Sequence, residues 1–253
     1  MKTLKTNYFF PVLFVAVFAC TSTDSREPMS LWKQVSGNES PNSLSPGEAK
    51  AGWKLLFDGK TTEGWHGYNM KSFPDSWAIE DECFTMNTTG GGESLDILTN
   101  SKYRSFAFSV EYKLTNAANS GIIYQIAEDT IYKFPYETGP EFQIVDQEGW
   151  PDKLEEWQIS GANYAMYTPM VKAYKPVGEW NKLLLVVDGN NVTQILNGQV
   201  VVKFVKNSEE WLKLRNSGKW TDFPDWGKYD EGYISLQNHG TKVWYRSIKI
   251  KQL

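Results

Sequence analysis

The chain is short of several things, and each shortage narrows what it can be. Its 253 residues hold two cysteines, Cys20 and Cys83. Cys20 closes an N-terminal apolar segment, so no disulfide framework and no zinc-type cysteine spacing can be drawn. Cys83 reads as a lone buried thiol that packs as a small hydrophobe. There are two histidines, His66 and His239; with scattered carboxylates they do not by themselves establish a metal site. Positive charge is not in excess: 26 Lys and Arg stand against 30 Asp and Glu, a net charge of −4. The basic footprint that nucleic acid requires is missing, so no nucleic-acid partner is expected. The N-terminal apolar run, Tyr8 to Ala19, is about a dozen residues, short of the ~20 that span a bilayer as a helix. Helical periodicity is scarce; Glu209 to Arg215 offers one turn or two. No internal repeat of fixed period is visible.

What is present begins with an address. Lys2 and Lys5 precede the apolar run, the n-region and h-region of a secretory signal. Val17-Phe18-Ala19-Cys20 is similar to a bacterial lipobox, in which the cysteine becomes the lipidated first residue of the mature chain. The reading is a signal peptide over 1–19, lipid at Cys20, and a location in the bacterial cell envelope, on the periplasmic face or the cell surface. Export without lipid, after cleavage nearby, is the alternative. From Thr21 to Lys50 the composition turns to Ser, Thr, Asn, Glu, Pro and Gly, which predicts a disordered tether over 20–50. The folded domain is then 51–253.

Within that domain short alternating segments are separated by turn residues. In Tyr103 to Leu114, Phe106, Phe108, Val110 and Tyr112 share one face; Ser109, Glu111 and Lys113 share the other. Trp77 to Met86 is a strand pair. Gly90 to Gly92 is a loop. Gly121 to Ala127 and Pro140 to Val145 are strands. Asp188-Gly189-Asn190-Asn191 and Asn197-Gly198 mark two hairpins. Residues 146–180 form a long irregular excursion, the kind of loop that often carries function. Ten or more short strands with little helix imply an all-β sandwich or barrel. Aromatic content of 15% exceeds what a core needs, although sandwich cores also use many rings.

The last two strands lie within Gly232–Ile250. Ile234 and Leu236 alternate with Tyr233, Ser235 and Gln237, and His239 shares the polar parity. Gly240 permits a turn; Val243, Tyr245 and Ser247 then share one face, and Trp244, Arg246 and Ile248 the other. In Glu141-Phe142-Gln143-Ile144 the apolar pair faces one way and the acid and amide the other. If these two segments share a sheet, Glu141, Gln143, Gln237 and His239 line one surface. Hydroxyl-rich ligands need amide and carboxylate partners for their oxygens and aromatic rings for their C–H faces. Tyr124, Trp150, Tyr164 and Trp226 are the candidate stacking walls. His66 reads as structural or at a rim, and Glu155 with Glu156 as a solvated pair.

With these segments in place the chain resembles the 3-keto-disaccharide hydrolase domain family over about residues 52–251. The resemblance is carried by Gly52-Trp-Lys-Leu-Leu-Phe-Asp-Gly59 with Trp65, Leu98-Thr99 with Tyr103, and Asn119-Ser-Gly-Ile-Ile-Tyr124. Gly139-Pro-Glu-Phe-Gln-Ile-Val-Asp146, Gly178-Glu-Trp-Asn181, Leu196-Asn-Gly198 and Leu236-Gln-Asn-His-Gly240 follow in order. It implies a concanavalin A-like jelly-roll sandwich of two antiparallel sheets with a concave ligand face. It implies as substrates sugars or glycosides oxidised to a ketone at the third ring carbon. Family members often carry Arg where Gln125 stands and His where Gln194 stands. On this reading Glu141 and His239 are catalytic. Gln143, Gln125, Tyr124, Asp146, Gln237, Asn238 and Trp226 bind substrate, and a divalent cation is an optional electrophile. A non-catalytic lectin-like module and a surface interaction protein are the competing readings, since fold alone does not separate them.

Overall fold

The computed structural model describes residues 26–38, 40–86 and 95–253. The signal segment, Cys20 and the Gly90–Gly92 loop lie outside them. The first strands are β1 (Lys54–Leu55), β2 (Trp65–Gly67), β3 (Trp77–Glu80), β4 (Cys83–Met86), β5 (Ile97–Thr99), β6 (Phe106–Leu114) and β7 (Asn119–Ile126). After them come β8 (Glu141–Val145), β9 (Asn181–Asp188), β10 (Asn191–Leu196), β11 (Gln199–Val205), β12 (Tyr233–Leu236) and β13 (Val243–Gln252). They form two sheets. The larger runs β11-β10-β9-β6-β13-β4-β3, with β1 also on β13; the smaller runs β2-β5-β12-β7-β8. Neighbours far apart in sequence, such as β6 with β13 and β12 with β7, pair antiparallel, giving the expected jelly-roll sandwich.

The core is the interface between the sheets. Phe106, Phe108, Val110 and Tyr112 of β6 pack towards Ile122 and Tyr124 of β7, Phe142 and Ile144 of β8, and Ile234 and Leu236 of β12. Both predicted hairpins form, β9–β10 and β10–β11. Cys83 is buried and unpaired. The turn after β12 differs from an ordinary hairpin, because it carries the chain from the smaller sheet to the larger. The parity of β13 also breaks. Ser247 adopts φ 53° where the β6–β13 register shifts, a bulge that adds one residue to one strand. Ile248 therefore turns into the core beside Val243 and Tyr245 rather than lying with Trp244 and Arg246.

The expected tether is corrected over its described part. Residues 28–36 form helix α1 (Pro28–Ser36) and residues 46–50 form α2 (Pro46–Lys50). Proline at the first turn and Glu27, whose carboxylate accepts from the Ser30 N–H, start α1. Ser45 and Glu48 close a capping box on α2. Leu31 and Val35, four apart on one helix face, pack with Trp53 on Ala107, Leu184, Val186 and Ile195, the outer face of the larger sheet. Glu48 forms a buried ion pair with Lys249 of β13. Asn42 accepts from the Ser247 N–H and so serves the bulge. A composition poor in apolar residues hid a strap that buries the few it has.

Helix α3 (Glu209–Arg215) and a 3-10 turn at Lys219–Asp222 sit between β11 and β12. Trp211, Trp220 and Trp226 are buried together there, Trp220 stacked on Trp226 at 4.3 Å and Trp211 on Trp226 at 5.7 Å.

Candidate functional site

In an antiparallel pair, facing residues share a side of the sheet. Glu141 faces Ile123, and Gln143 faces Gly121. With Phe142 and Ile144 committed to the core, both polar side chains emerge on the outer face of the smaller sheet. Gly121 makes the arrangement fit. A Cβ there would stand 2.1 Å from a carboxylate oxygen of Glu141, so any side chain would expel the acid from its seat. The excursion after β8 turns back along its free edge. The Gln143 N–H donates to Ala162, and the Tyr164 N–H donates to Glu141. Those bonds cover the edge and bury Glu141 and Gln143 to 5% and 4% exposure.

Asp96, just before β5, joins this face from the other side of β12. One carboxylate oxygen accepts from the Asn238 N–H at 2.8 Å and the other from the Ser235 hydroxyl at 3.2 Å. The Asn238 side-chain oxygen, Oδ1, in turn accepts from the Gly240 N–H, fixing the turn that presents His239. A cavity of about 560 Å³ opens here, lined by Tyr68, Asp96, Lys133, Phe134, Tyr136, Gln237, Asn238 and His239 among others. Glu141 lies one side chain deeper, with the Gln237 side chain hydrogen-bonded to its carboxylate.

Burial in this apolar, ring-walled setting disfavours charge. It pushes Asp96 up to about 7, against the hydrogen bonds of Asn238 and Ser235. It pushes Glu141 up to about 8; the Lys219 cation opposes the rise and the Asp96 charge adds to it. Two carboxyl groups thus hold protons into the neutral range, in a cavity with amide donors and aromatic walls. Such a pair can give or take a proton near pH 7. Among the described residues no three His, Cys, Asp or Glu side chains are gathered in a metal-ligand cluster.

Of the expected site residues, Gln237, Asn238 and His239 line this cavity, Glu141 is tied to it through Gln237, and Gln143 lies beside Gln237 across Gly121 on the same sheet face. His239 is exposed at the mouth, its ring edge-on to Trp150 at 6.4 Å. Four expected site residues are elsewhere. Tyr124 has the opposite parity to Ile123, points between the sheets, and its hydroxyl accepts from the Asn163 amide. Trp226 is wholly buried in the tryptophan stack. Gln125 sits at φ 55° in a bulge of β7 and bonds to Lys206 and the Asp230 carbonyl. Asp146 accepts from the N–H groups of Ala117 and Gly149, a loop-fixing role at the rim of a separate cavity. Tyr164 does flank Glu141, and His66 is held between Asn100 and Glu128. Asp96, Tyr68 and Tyr136 were not expected. Asp96 had a usable signal, sharing strand parity with Leu98 opposite the apolar Ile97.

An antiparallel jelly-roll sandwich whose smaller sheet carries acids, amides and rings around an open cavity is a concanavalin-like fold with a candidate ligand site. Comparison with known proteins places it more narrowly. Residues 52–251 match the 3-keto-alpha-glucoside-1,2-lyase-like domain, and the chain belongs to that family. A protein of Bacteroides thetaiotaomicron named 3-keto-disaccharide hydrolase is 32% identical over 229 residues, covering 80% of this chain and 79% of its own. A crystal structure of a candidate glycosyl hydrolase from Parabacteroides distasonis is 38% identical. It superimposes with TM-score 0.80 over 85% of this chain and 100% of its own. A second structure so described from that organism is 26% identical, with TM-score 0.59 over 79% and 84% of the two chains.

Proposed function

We propose that this protein is a carbohydrate-active enzyme that cleaves glycosides whose sugar ring carries a ketone at its third carbon. The observation that carries the reading is the buried Asp96 and Glu141 pair, held near proton balance beneath the Gln237 and Asn238 amides. Family membership and the name of the Bacteroides thetaiotaomicron relative support the substrate class. A ketone acidifies the hydrogen on the adjacent ring carbon. Glu141, ionised, takes that proton; an enolate forms; its electrons return to expel the glycosidic oxygen from the anomeric carbon. His239, exposed at the mouth, protonates the departing oxygen. Gln237 orients ring hydroxyls from the cavity wall, Asn238 holds the turn beside it, and Tyr68, Tyr136 and Phe134 wall the sugar and its leaving group. This route does not need the two carboxylates flanking a scissile bond in ordinary glycosidases.

The test is turnover of a 3-keto-disaccharide in deuterated water, followed by mass spectrometry. A 1,2-unsaturated 3-keto sugar, which has lost the hydrogen beside the ketone, is expected first, and deuterium at that carbon once deuterated water has added across the double bond. Glu141→Gln should lower the rate by about 10²–10⁴. Equal cleavage of the unoxidised disaccharide would overturn the reading, and saturable sugar binding without turnover would favour a lectin-like module.

We also propose attachment to the bacterial envelope through lipid on Cys20. The support is the lipobox-like Val17–Cys20 sequence. The strap changes what such an anchor would do. Arg26 already pairs with Asp188 at the β9–β10 turn, so only residues 21–25 separate it from Cys20. Fully extended, that link reaches about 20 Å at most.

A further inference from the structure

We propose that the Lys219 ammonium is the group that receives the substrate's ketone oxygen and holds its negative charge as the neighbouring carbon loses its proton. This rests on the 3-keto-glycoside reading above and assigns it the electrophile that the acids and amides do not provide.

Lys219 opens the 3-10 turn between α3 and β12. Its neighbour Trp220 is wholly buried against Trp226, which anchors the turn. The Lys219 residue is exposed, yet its ammonium reaches back over the site. Nζ lies 4.5 Å from the ring centroid of Tyr164, 5.0 Å from that of Trp220 and 5.2 Å from that of Tyr136. Tyr136 is a wall of the cavity; Tyr164 is hydrogen-bonded through its backbone to Glu141. The cation therefore bridges the two sides of the site.

Ring faces attract a cation through their quadrupole without accepting its N–H bonds in the way an oxygen does. Among the described residues no carbonyl or carboxylate takes a hydrogen bond from this ammonium, and Glu141 is the one anion whose charge acts on it. Three donors are thus held in place and left for an incoming oxygen. The electrons balance without any further reactant. The C–H pair becomes the carbon–carbon double bond, the ketone π pair moves to oxygen beside Lys219, and the proton goes to Glu141. When that oxygen pair returns, the glycosidic oxygen leaves with its own bonding pair and is protonated. A fixed cation at a developing oxyanion in a poorly hydrated site is worth more than in water.

The same cation also acts on Glu141. The groups facing that carboxyl are Asp96 before β5, Gln237 after β12, Tyr136, Tyr164 and Lys219. Lys219 is the cation among them. Removing it withdraws what opposes protonation of Glu141, so the acid limb of the pH–rate profile should move to higher pH.

The experiment compares the full chain with Lys219→Met and Lys219→Arg on a 3-keto-disaccharide, reading kcat, KM and the pH profile. Lys219→Met should lower kcat by about 10²–10³ with KM little changed. Its acid limb should shift upward, and Lys219→Arg should restore the limb and part of kcat. The exposed position keeps folding intact, checked by an unchanged thermal midpoint. An active wild type with Lys219→Met within threefold in kcat and an unshifted limb overturns the role of Lys219 alone. A lower kcat in Lys219→Met with an unshifted limb also overturns it, since packing changes would suffice. A wild type that does not turn over 3-keto sugars overturns this and the parent reading together.

Discussion

Asp96 and Glu141 are buried carboxyl groups, and their burial carries a stability consequence with a definite sign. An unfolded chain loses these protons in the ordinary carboxylate range. The folded chain keeps them to about 7 and about 8. Between those limits the folded state binds more protons than the unfolded one, so stability falls as pH rises. Asp96→Asn should flatten that slope: the variant should lose less thermal stability than wild type between pH 5 and pH 8, by on the order of a few kcal/mol. Unfolding by urea at the two pH values measures it; parallel slopes in both proteins would show that Asp96 ionises normally. Glu141 and Gln143 were legible as an outward pair because Phe142 and Ile144 fix the parity of β8. Tyr124 was misassigned because the sequence shows that β7 alternates but not which of its faces meets Glu141. That is decided by the Ile123 to Glu141 pairing.

At the scale of elements the N-terminal strap is easily overlooked, yet a buried ion pair and an apolar cluster attach it to the larger sheet. Glu48 and Lys249 are both buried, and their pairing ties α2 to β13. Burial alone would raise Glu48, but hydrogen bonds from Lys249, Ser45 and Asn38 bring it below the usual carboxylate range. Glu48→Gln leaves the Lys249 charge without its counter-ion, which costs about 3–5 kcal/mol when a buried pair is broken. In a domain this size that is a fall of roughly 10 °C in Tm. Adding Lys249→Met should recover much of it; no recovery would mean that Glu48 acts through its cap on α2. The strap begins before the family match at residue 52 and yet supplies Asn42 to the Ser247 bulge. The bulge was invisible in sequence, since Ser247 is an ordinary strand residue until the pairing of β13 with β6 demands an extra position. The Ser45-x-x-Glu48 capping box was visible, and composition averaged over thirty residues concealed it.

For the whole molecule, the proposed attachment at Cys20 makes a prediction, since Arg26 pairs with Asp188 at the β9–β10 end of the sandwich. Cys20→Ala should move the protein from the membrane fraction to the soluble fraction of the envelope on cell fractionation. An unchanged membrane fraction would mean that Cys20 is not the point of attachment. The sequence by itself determined the all-β class, the two hairpins, and the outward acid and amide of β8, because period-two alternation and turn residues are local properties. Only the tertiary structure decided which strands became neighbours. That pairing brought Asp96 across β12 to the site, sent Trp226 and Tyr124 into the core, and laid α1 and α2 on the larger sheet. Each of these depends on contacts between segments distant in the chain, where no local pattern records the partner.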